Sequence, residues 1–202
     1  MQKNTVILIG GSSGIGKSHL ARQLAEHLRM PLTEMDDIRI ALQQVAERNN
    51  HSELFTFIDN KNFREEYDEY MFTKKLLGVG KVVWKSLDVL ISKHIGCNEP
   101  VIFEGDSVIP DLLATRDMNN VMAIFIHDDM ERIKERQIKR NRLDKGLEGT
   151  MKNALFSYTY SEELKRQAEA KGFLTIQASP IETLFERTLQ AFEKPQLDVT
   201  ES

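Results

Sequence analysis

The sequence predicts an α/β protein in which a parallel β-sheet is covered by helices on both faces. Short aliphatic runs alternate along the chain with longer segments of helical periodicity, and several of these runs are apolar at consecutive positions. Strands that are apolar at every position are typical of parallel sheets buried on both faces. The alternation with helices supplies the crossover connections that parallel strands require.

Five segments fit strands, and the spaces between them fit helices. Residues 5–9 form the first apolar run, and a helix is predicted from Lys17 to about Arg29, ended by Pro31. A mostly helical stretch is predicted over residues 39–96. The other predicted strands are residues 31–35, 101–103, 121–126 and 173–176.

Length and composition favour one domain. The chain has 202 residues, of which 41% are hydrophobic and 29% charged, which is enough apolar surface for a full core. We expect a single domain over residues 1–194, with a helical insertion at about 43–96 and a lid at about 136–155. Residues 195–202 show no periodicity and are predicted to form a flexible tail.

Charge, cysteine content and hydropathy exclude several classes of protein. The formal net charge of -4 argues against a nucleic-acid-binding module. Cys97 is the only cysteine, which excludes an intramolecular disulfide, and we expect its thiol to be buried. No apolar stretch is long enough to span a membrane, and the first strand begins too early for a signal peptide. We therefore expect a cytoplasmic protein, either monomeric or homodimeric.

The strongest motif lies between the first strand and the first helix. Residues 11–18, GSSGIGKS, match G-x-x-x-x-G-K-[ST], and their strand–loop–helix context is the one this motif requires. The glycines allow consecutive N–H groups to turn toward an anion, and the following helix adds its positive dipole end. The alternative is a glycine-rich turn with an exposed lysine. The motif predicts a P-loop NTPase fold with three α/β/α layers that binds ATP and Mg²⁺.

Each residue of this loop has a predicted role. Lys17 is expected to neutralise the β- and γ-phosphates of ATP, and the Ser18 hydroxyl is expected to ligate Mg²⁺. The predicted nucleotide-binding residues of this segment are Gly11, Ser12, Ser13, Gly14, Ile15, Gly16, Lys17, Ser18 and His19.

Three carboxylates are candidates for the acceptor base or the metal site. Asp36 and Asp37 follow the second predicted strand, and phosphoryl transfer needs a carboxylate near the γ-phosphate. We predict Asp36 as the base, while Asp37 fits the N-cap of the next helix. Glu104 follows the apolar run 101–103 and is predicted to hold Mg²⁺ directly or through water. A salt bridge at a strand end is the alternative for Glu104.

The segment after residue 126 is rich in arginine. Arg136, Arg140 and Arg142 lie along a predicted helix that leads into a glycine-bearing loop. Such arginines can form bidentate contacts with phosphates and stabilise charge in the transition state. The alternative is a solvated helix face with charge pairs along it. We predict Arg136 and Arg140 as catalytic residues.

With these residues in place, the chain resembles the P-loop small-molecule kinases of the adenylate-kinase, shikimate-kinase and chloramphenicol-phosphotransferase type. It looks most like the 2-phosphoglycerate kinase group over roughly residues 4–192. The resemblance is carried by residues 10–18 (GGSSGIGKS), 36–39 (DDIR) and 102–110 (IFEGDSVIP). It implies that Asp36 handles the acceptor hydroxyl, that Arg136 contacts the nucleotide, and that residues 179–182 lie near the adenine.

The expected activity is transfer of the γ-phosphoryl group of Mg-ATP to a small hydroxylated or phosphorylated metabolite, with 2-phosphoglycerate as the acceptor that the resemblance suggests. An anionic acceptor is expected to meet Arg39, Arg64, Lys81 or Lys85. Two alternatives stay open: an NTP-hydrolysing regulatory switch and a toxin-like kinase of nucleotide sugars. The sequence does not distinguish ATP from GTP, and it leaves open which of Asp36, Asp37 and Glu104 is the base and which holds the metal.

Overall fold

The fold is built on a central sheet of five parallel strands. The computed structural model describes residues 5–140 and 146–193. The strands lie in the order β2-β3-β1-β4-β5, and every neighbouring pair is parallel. Their bounds are β1 (Val6–Gly10), β2 (Leu32–Glu34), β3 (Val101–Gly105), β4 (Val121–His127) and β5 (Leu174–Gln177).

Helices connect the strands and cover the sheet. The described helices are α1 (Lys17–Leu28), α2 (Met35–Val45), α3 (Thr56–Asp59), α4 (Phe63–Glu66), α5 (Glu69–Cys97), α6 (Pro110–Leu113), α7 (Met130–Arg140), α8 (Gly146–Ala170) and α9 (Leu184–Glu193), with 3₁₀ turns at Ser52–Phe55 and Ile181–Thr183. In the part of the chain described, none of these helices combines the length and the hydropathy that a membrane span requires.

The central strand shows why the sheet needs a cover on both faces. All five residues of β1 are buried, and its successive side chains point to opposite faces. Val6 and Leu8 pack into one apolar cluster with residues of α2 and α5. Ile7 and Ile9 pack into a second cluster with residues of α1 and α9. The predicted three-layer α/β/α fold with a parallel sheet is confirmed.

The strand register places the functional loops at one edge of the sheet. Gly10, the last residue of β1, pairs with Gly105 on β3 and with Phe125 on β4. Because the three strands are parallel and end close together, the segments that follow them emerge side by side. Ligands of open α/β sheets bind at this carboxyl edge.

The helical stretch beside the sheet differs in detail from its prediction. It consists of the end of α2, the short helices α3 and α4, and the 29-residue α5, which begins after Asp68. The Asp68 carboxylate caps α5 by accepting a hydrogen bond from the backbone N–H of Met71 at 2.6 Å. Cys97, the last residue of α5, is exposed, so the prediction of a buried thiol was wrong. Residues 195–202 lie outside the described residues.

Candidate active site

The loop between β1 and α1 has a backbone that only glycine accommodates at two positions. Gly11 has φ of +143°, and a Cβ there would lie 2.6 Å from the backbone oxygen of Ile126. Gly16 has φ of +111° and precedes the first residue of α1. Side chains at these positions would be strained in the backbone and would fill space that the loop needs. The glycine spacing of the motif therefore has a direct structural cause.

Lys17 begins α1 and is held inside the loop. Its side-chain ammonium donates a hydrogen bond to the backbone oxygen of Ser12 at 2.8 Å, and the residue is buried. Because the N–H groups of the first helical turn have no intrahelical acceptors, they add partial positive charge at the same place. Lysine and helix end together supply the charge and donors that can hold a phosphate group.

A cleft of ≈ 520 Å³ opens in front of this loop. Of the residues predicted from the sequence, it is lined by Ser13, Gly14, Gly16, Lys17, Ser18, His19, Asp36, Glu104 and Arg136. Ile181, from the segment 179–182 that the resemblance places near the adenine, also lines it. The structure adds residues that the prediction missed: Arg22, Glu34, Gly105 and Asp106. Gly11, Ser12 and Ile15 are buried within the loop and do not line the cleft.

Ser18 and Glu104 line the cleft side by side. The Ser18 hydroxyl donates a hydrogen bond to a carboxylate oxygen of Glu104 at 2.7 Å. Glu104 was predicted to follow the strand, but β3 continues through Gly105, so its backbone is fixed by pairing with Ile9. None of the ion pairs found among residues 5–140 and 146–193 involves Glu104, which argues against the salt-bridge alternative.

The pair of oxygens on Ser18 and Glu104 fits a magnesium site. Mg²⁺ is held in nucleotide sites by one or two protein oxygens, phosphate oxygens and several waters. The described residues contain no group of three or more His, Cys, Asp or Glu side chains that form a metal cage. One hydroxyl and one carboxylate beside a phosphate loop match that preference, whereas a metal held by protein ligands alone needs more of them.

Asp36 and Asp37 lie in the first turn of α2. Helix α2 begins at Met35, so its N-cap position is Glu34, and the prediction that Asp37 is the cap was wrong. Two acids in a first helical turn still interact favourably with the helix dipole. Asp36 lines the cleft and accepts two hydrogen bonds from Arg39, at 3.0 and 3.3 Å. Asp37 does not line the cleft.

Asp106 is the acid that sequence analysis left out. It follows the end of β3, and its backbone oxygen accepts a hydrogen bond from the Tyr160 hydroxyl at 2.6 Å. Burial raises the pKa of the Asp106 carboxyl, and the charge of Asp36 raises it further, while Lys17 and Arg39 act in the opposite direction. Its position just past a buried strand at the carboxyl edge of the sheet is the signal that would have identified it.

Helix α7 presents arginines to two different environments. Arg132 pairs with Glu135 at 3.2 Å on the exposed face, as the solvated-face alternative predicts. Arg136, one helical turn further along, lines the cleft and forms an ion pair with the buried Asp128. For Arg140, only its position at the end of α7 is described, and Arg142 lies outside the described residues.

Asp128 orients Arg136 toward the cleft. The Asp128 carboxylate also accepts a hydrogen bond from the Ser179 hydroxyl at 2.6 Å. Burial alone would raise the pKa of Asp128, but the hydrogen bonds from Ser179 and Arg136, with the charge of Arg136, bring it below its usual value. Asp128 directly follows the last residue of β4, and this position was the available sequence signal.

A neighbouring residue connects α7 to the phosphate loop. Gln137 is buried, and its amide nitrogen donates to the Ser157 hydroxyl at 2.9 Å and to the Ser13 backbone oxygen at 3.5 Å. A Cβ on Gly14 would lie 3.3 Å from the same nitrogen. The loop, α7 and α8 are therefore packed together at Gln137, which sequence analysis did not identify.

A second cavity of ≈ 200 Å³ lies on the other side of the loop. Ser13 and Asp106 line both cavities, so the two meet there. Of the cations expected to contact an anionic acceptor, Arg39 lines this cavity. Arg64 instead donates to the Asn153 side chain at 2.9 Å and lies against the Phe63 ring. Lys81 and Lys85 are exposed on α5 and line neither cavity.

Comparison with known sequences finds relatives that carry a kinase name. No protein-family model matches the chain. It is 28% identical over 124 residues to a 2-phosphoglycerate kinase of Methanocaldococcus jannaschii, covering 60% of this chain and 40% of that protein. It is 24% identical over 215 residues to a 2-phosphoglycerate kinase of Methanococcus vannielii, covering 97% of this chain and 66% of that protein. The matches thus span less than two thirds of the length of these relatives.

Solved structures show the same fold. Deoxyadenosine kinase from M. mycoides, with bound dATP, superposes with a TM-score of 0.51 at 17% identity, covering 94% of this chain and 100% of that chain. A gluconokinase from Sinorhizobium meliloti gives a TM-score of 0.50 at 16% identity, covering 94% and 92%. At such identities the likeness shows the fold alone. The chain has the fold of the P-loop small-molecule kinases, and the resemblance to them that its sequence indicates is confirmed.

Proposed function

We propose that the protein is a phosphotransferase that moves the γ-phosphoryl group of Mg-ATP to a small hydroxylated or phosphorylated metabolite. One observation carries this proposal: the phosphate loop, the Ser18–Glu104 pair, Asp36 and Arg136 line a single cleft. Phosphoryl transfer depends mainly on positioning and on charge stabilisation, and these groups supply both.

The loop and α1 hold the triphosphate. The backbone N–H groups of residues 11–18 bind the phosphate oxygens, and Lys17 exchanges its bond to the Ser12 carbonyl for the β- and γ-phosphates. Ser18 and Glu104 hold magnesium, which when bound neutralises charge on the phosphates. His19 and Ile181 line the same cleft and complete the nucleotide side.

Arginine stabilises the charge that develops during transfer. Arg136 extends from α7 into the cleft, and its ion pair with Asp128 fixes the direction of the guanidinium. Five N–H donors in a planar fork suit the equatorial oxygens of the transferred group. We assign the same role to Arg140, which lies one helical turn further along α7.

Asp36 is the residue that we assign to the acceptor hydroxyl. Its carboxylate is 61% exposed and lines the cleft from the first turn of α2. The acceptor oxygen attacks the γ-phosphorus, the bond from that phosphorus to the bridging oxygen of ADP breaks, and Asp36 takes the hydroxyl proton. The products are the phosphorylated acceptor and ADP.

Magnesium-dependent ADP release tests the proposal. The rate of ADP formation from ATP is measured with a panel of hydroxylated and phosphorylated metabolites that includes 2-phosphoglycerate, the acceptor in the names of the relatives. We expect at least one acceptor to raise the rate, and Lys17→Ala to lower that rate about 10²-fold or more. Tight ATP binding without any acceptor-dependent ADP would instead favour a regulatory switch driven by hydrolysis.

A further inference from the structure

The second cavity adjoins the nucleotide cleft at the phosphate loop. Its lining includes Ser12 and Ser13 of the phosphate loop, and it meets the nucleotide cleft at Ser13 and Asp106. A molecule in this cavity therefore has one end beside the transferred phosphoryl group. The rest of the molecule faces α2, α5 and the short helices between them.

The wall formed by those helices is apolar and largely aromatic. The rings of Phe57, Phe63 and Phe72 are partly exposed, and their centroids lie between 5.1 and 5.9 Å apart. Phe72 is stacked at 4.4 Å on the buried Phe156, which fixes its orientation. The large apolar side chains that line the cavity are Leu54, Phe57, Phe63, Phe72, Leu76 and Val79. Rings arranged in this way bind another flat apolar ring.

Positive charge is scarce in the same cavity. Within the described part of the chain, Arg39 is the cation of its lining, and Asp106 is an acid in that lining. Arg39 is already engaged by two hydrogen bonds to Asp36. Each phosphate or carboxylate that a protein buries needs its own charged or hydrogen-bonding partners, because an unpaired buried charge is costly. The cavity therefore suits a ligand with no more than one anionic group.

Ser12 is the buried side chain of the lining that lacks a partner in the described part of the chain. It is 1% exposed, and its hydroxyl has no hydrogen-bond partner among the described residues. Gln43 and Tyr160 of the same lining are already paired, since Gln43 donates to the Leu54 carbonyl and Tyr160 donates to the Asp106 carbonyl. A buried hydroxyl without a partner costs stability until a ligand pairs with it. Ser12 is part of the phosphate loop, so this pairing fixes the reacting end of the ligand.

We propose that the acceptor is a single-ring metabolite that carries a hydroxyl group and at most one negative charge. This inference rests on the proposed phosphotransferase activity and narrows its substrate class. The cavity of ≈ 200 Å³ is smaller than the roughly 300–1,000 Å³ of pockets for drug-sized ligands, which limits the occupant to one ring. The ring packs on the phenylalanines, a single anionic group pairs with Arg39, and the hydroxyl lies near Ser12 and Asp106.

The transfer exchanges one phosphorus–oxygen bond for another. The ring-borne hydroxyl oxygen forms a bond to the γ-phosphorus of ATP while the bond between that phosphorus and the leaving oxygen of ADP breaks. The hydroxyl proton passes to Asp36, which lines the nucleotide cleft and is hydrogen-bonded by Arg39 of the cavity. The product is a phosphate monoester of the ring compound, with ADP as the second product.

Steady-state kinetics with matched acceptors test the inference. Pyridoxine and meta-hydroxymethylbenzoate supply a ring and a hydroxyl with no charge or one charge; glycerate supplies a hydroxyl and one charge without a ring; 2-phosphoglycerate supplies two anionic groups. We expect kcat/KM for the two ring compounds to exceed that for the others by about tenfold or more. Glycerate or 2-phosphoglycerate as the better acceptor would overturn the inference while leaving the phosphotransferase proposal intact.

A binding measurement separates the two proposals further. Calorimetric titration of the ring compounds is carried out on the protein saturated with magnesium and a non-hydrolysable ATP analogue. If the ring compounds bind in this titration but yield no ADP in the kinetic assay with ATP, the assignment of the cavity is supported and the phosphotransferase proposal is contradicted. Failure of both ring compounds to bind overturns the assignment, whatever the other acceptors do.

Two variants locate the ligand. Phe63→Leu is expected to raise KM for both ring compounds about fivefold and to leave KM for ATP unchanged, whereas Phe173→Leu, outside both cavities, changes neither. Arg39→Gln is expected to raise KM for meta-hydroxymethylbenzoate by about tenfold or more relative to KM for pyridoxine, because a change transmitted through Asp36 affects both compounds alike. An unchanged ratio of the two KM values would contradict the proposed placement.

Discussion

The two cavities that meet at Ser13 and Asp106 differ in how they are built. The nucleotide cleft is formed largely by a short continuous loop with strained glycines, an adjacent helix end and charged side chains. The proposed acceptor cavity is formed mainly by apolar side chains from separate helices and a turn between residues 54 and 79, with Arg39 and Gln43 of α2, part of the loop and α8. The nucleotide cleft depends on local backbone geometry, whereas the second cavity depends on tertiary packing.

The two cavities should differ in how well they tolerate substitution. A loop with fixed backbone angles binds phosphate through N–H groups whose positions tolerate almost no change. A cavity lined by partly exposed rings can adjust by rotamer changes, since the side chains that face the ligand are not all fixed by neighbours. Substitutions on the nucleotide side should therefore cause larger losses than substitutions on the acceptor side.

Gly11→Ala is expected to have the largest effect. Its Cβ would lie 2.6 Å from the Ile126 carbonyl oxygen, and φ of +143° is unfavourable for alanine. We expect the dissociation constant for ATP to rise about 10²-fold or more, since strain at such positions costs about 1–3 kcal/mol before any clash is counted. Equilibrium binding of a fluorescent ATP analogue measures this change.

Gly96→Ala is the matched control for that substitution. Gly96 lies in α5, and a Cβ there meets nothing within 4 Å. Since alanine is favoured over glycine in a helix by up to about 1 kcal/mol, the variant should bind ATP normally and unfold at the same or a higher temperature. Unchanged ATP binding by Gly11→Ala would show that the loop is less restrictive than its geometry indicates.

Asp128→Asn removes the anchor of Arg136 and is expected to destabilise the protein by about 1–3 kcal/mol near neutral pH. The substitution removes the buried charge that accepts hydrogen bonds from Arg136 and Ser179, while the Arg136 side chain is 23% exposed and is still reached by water. Denaturation by urea measures the free energy of unfolding, with Asp129→Asn as the control because that neighbouring carboxylate is exposed. Equal stability of the two variants would contradict the assigned role of Asp128.

The same pair predicts a pH dependence. Because the folded protein lowers the pKa of Asp128, the carboxylate contributes stability at pH values above the unfolded pKa of about 3.9. This contribution is lost as pH falls through the lower folded pKa. The difference in unfolding free energy between the wild type and Asp128→Asn should therefore shrink on acidification, and a constant difference would argue for a packing effect.

Glu104→Gln is expected to raise the magnesium concentration for half-maximal activity about tenfold or more. The amide keeps the shape of the side chain and can still accept the hydrogen bond from Ser18, but it loses the negative charge that attracts the metal. Magnesium titration of the acceptor-dependent rate measures this shift. Glu34→Gln, which alters another carboxylate of the cleft that pairs with Arg22, should leave the magnesium requirement unchanged.

The contrast between the cavities also explains how much the sequence could predict. The sheet, the phosphate loop and Lys17 were predictable because the signals are contiguous: an apolar run, a glycine pattern and the start of a helix. Arg136 was predictable as one of several arginines, but the direction in which it points depends on Asp128 and Ser179, which lie eight and 43 positions away.

Other features of the site could be identified only from the folded structure. Helix α2 begins earlier than predicted, because strand β2 leads into it without a loop. Its N-cap is therefore Glu34 and not Asp37. Asp106 was passed over because a lone acid after a strand has many possible roles. Gln137 matters because it donates a hydrogen bond to the distant Ser157, and Ser12 matters because its buried hydroxyl has no partner within the described residues. Neither property can be read from the neighbouring sequence.

Phe72→Leu, the mildest change, tests whether the two cavities are independent. The substitution removes the stacking of Phe72 on Phe156 at 4.4 Å and should lower the free energy of unfolding by about 1 kcal/mol. Because Phe72 does not line the nucleotide cleft, the dissociation constant for ATP should stay within about twofold of the wild-type value. Phe185→Leu, which loses an edge contact with His27 on the opposite side of the sheet, is the control for a general loss of packing. A marked weakening of ATP binding by Phe72→Leu alone would mean that the aromatic wall supports the phosphate loop, and the acceptor side would then share the rigidity of the nucleotide side.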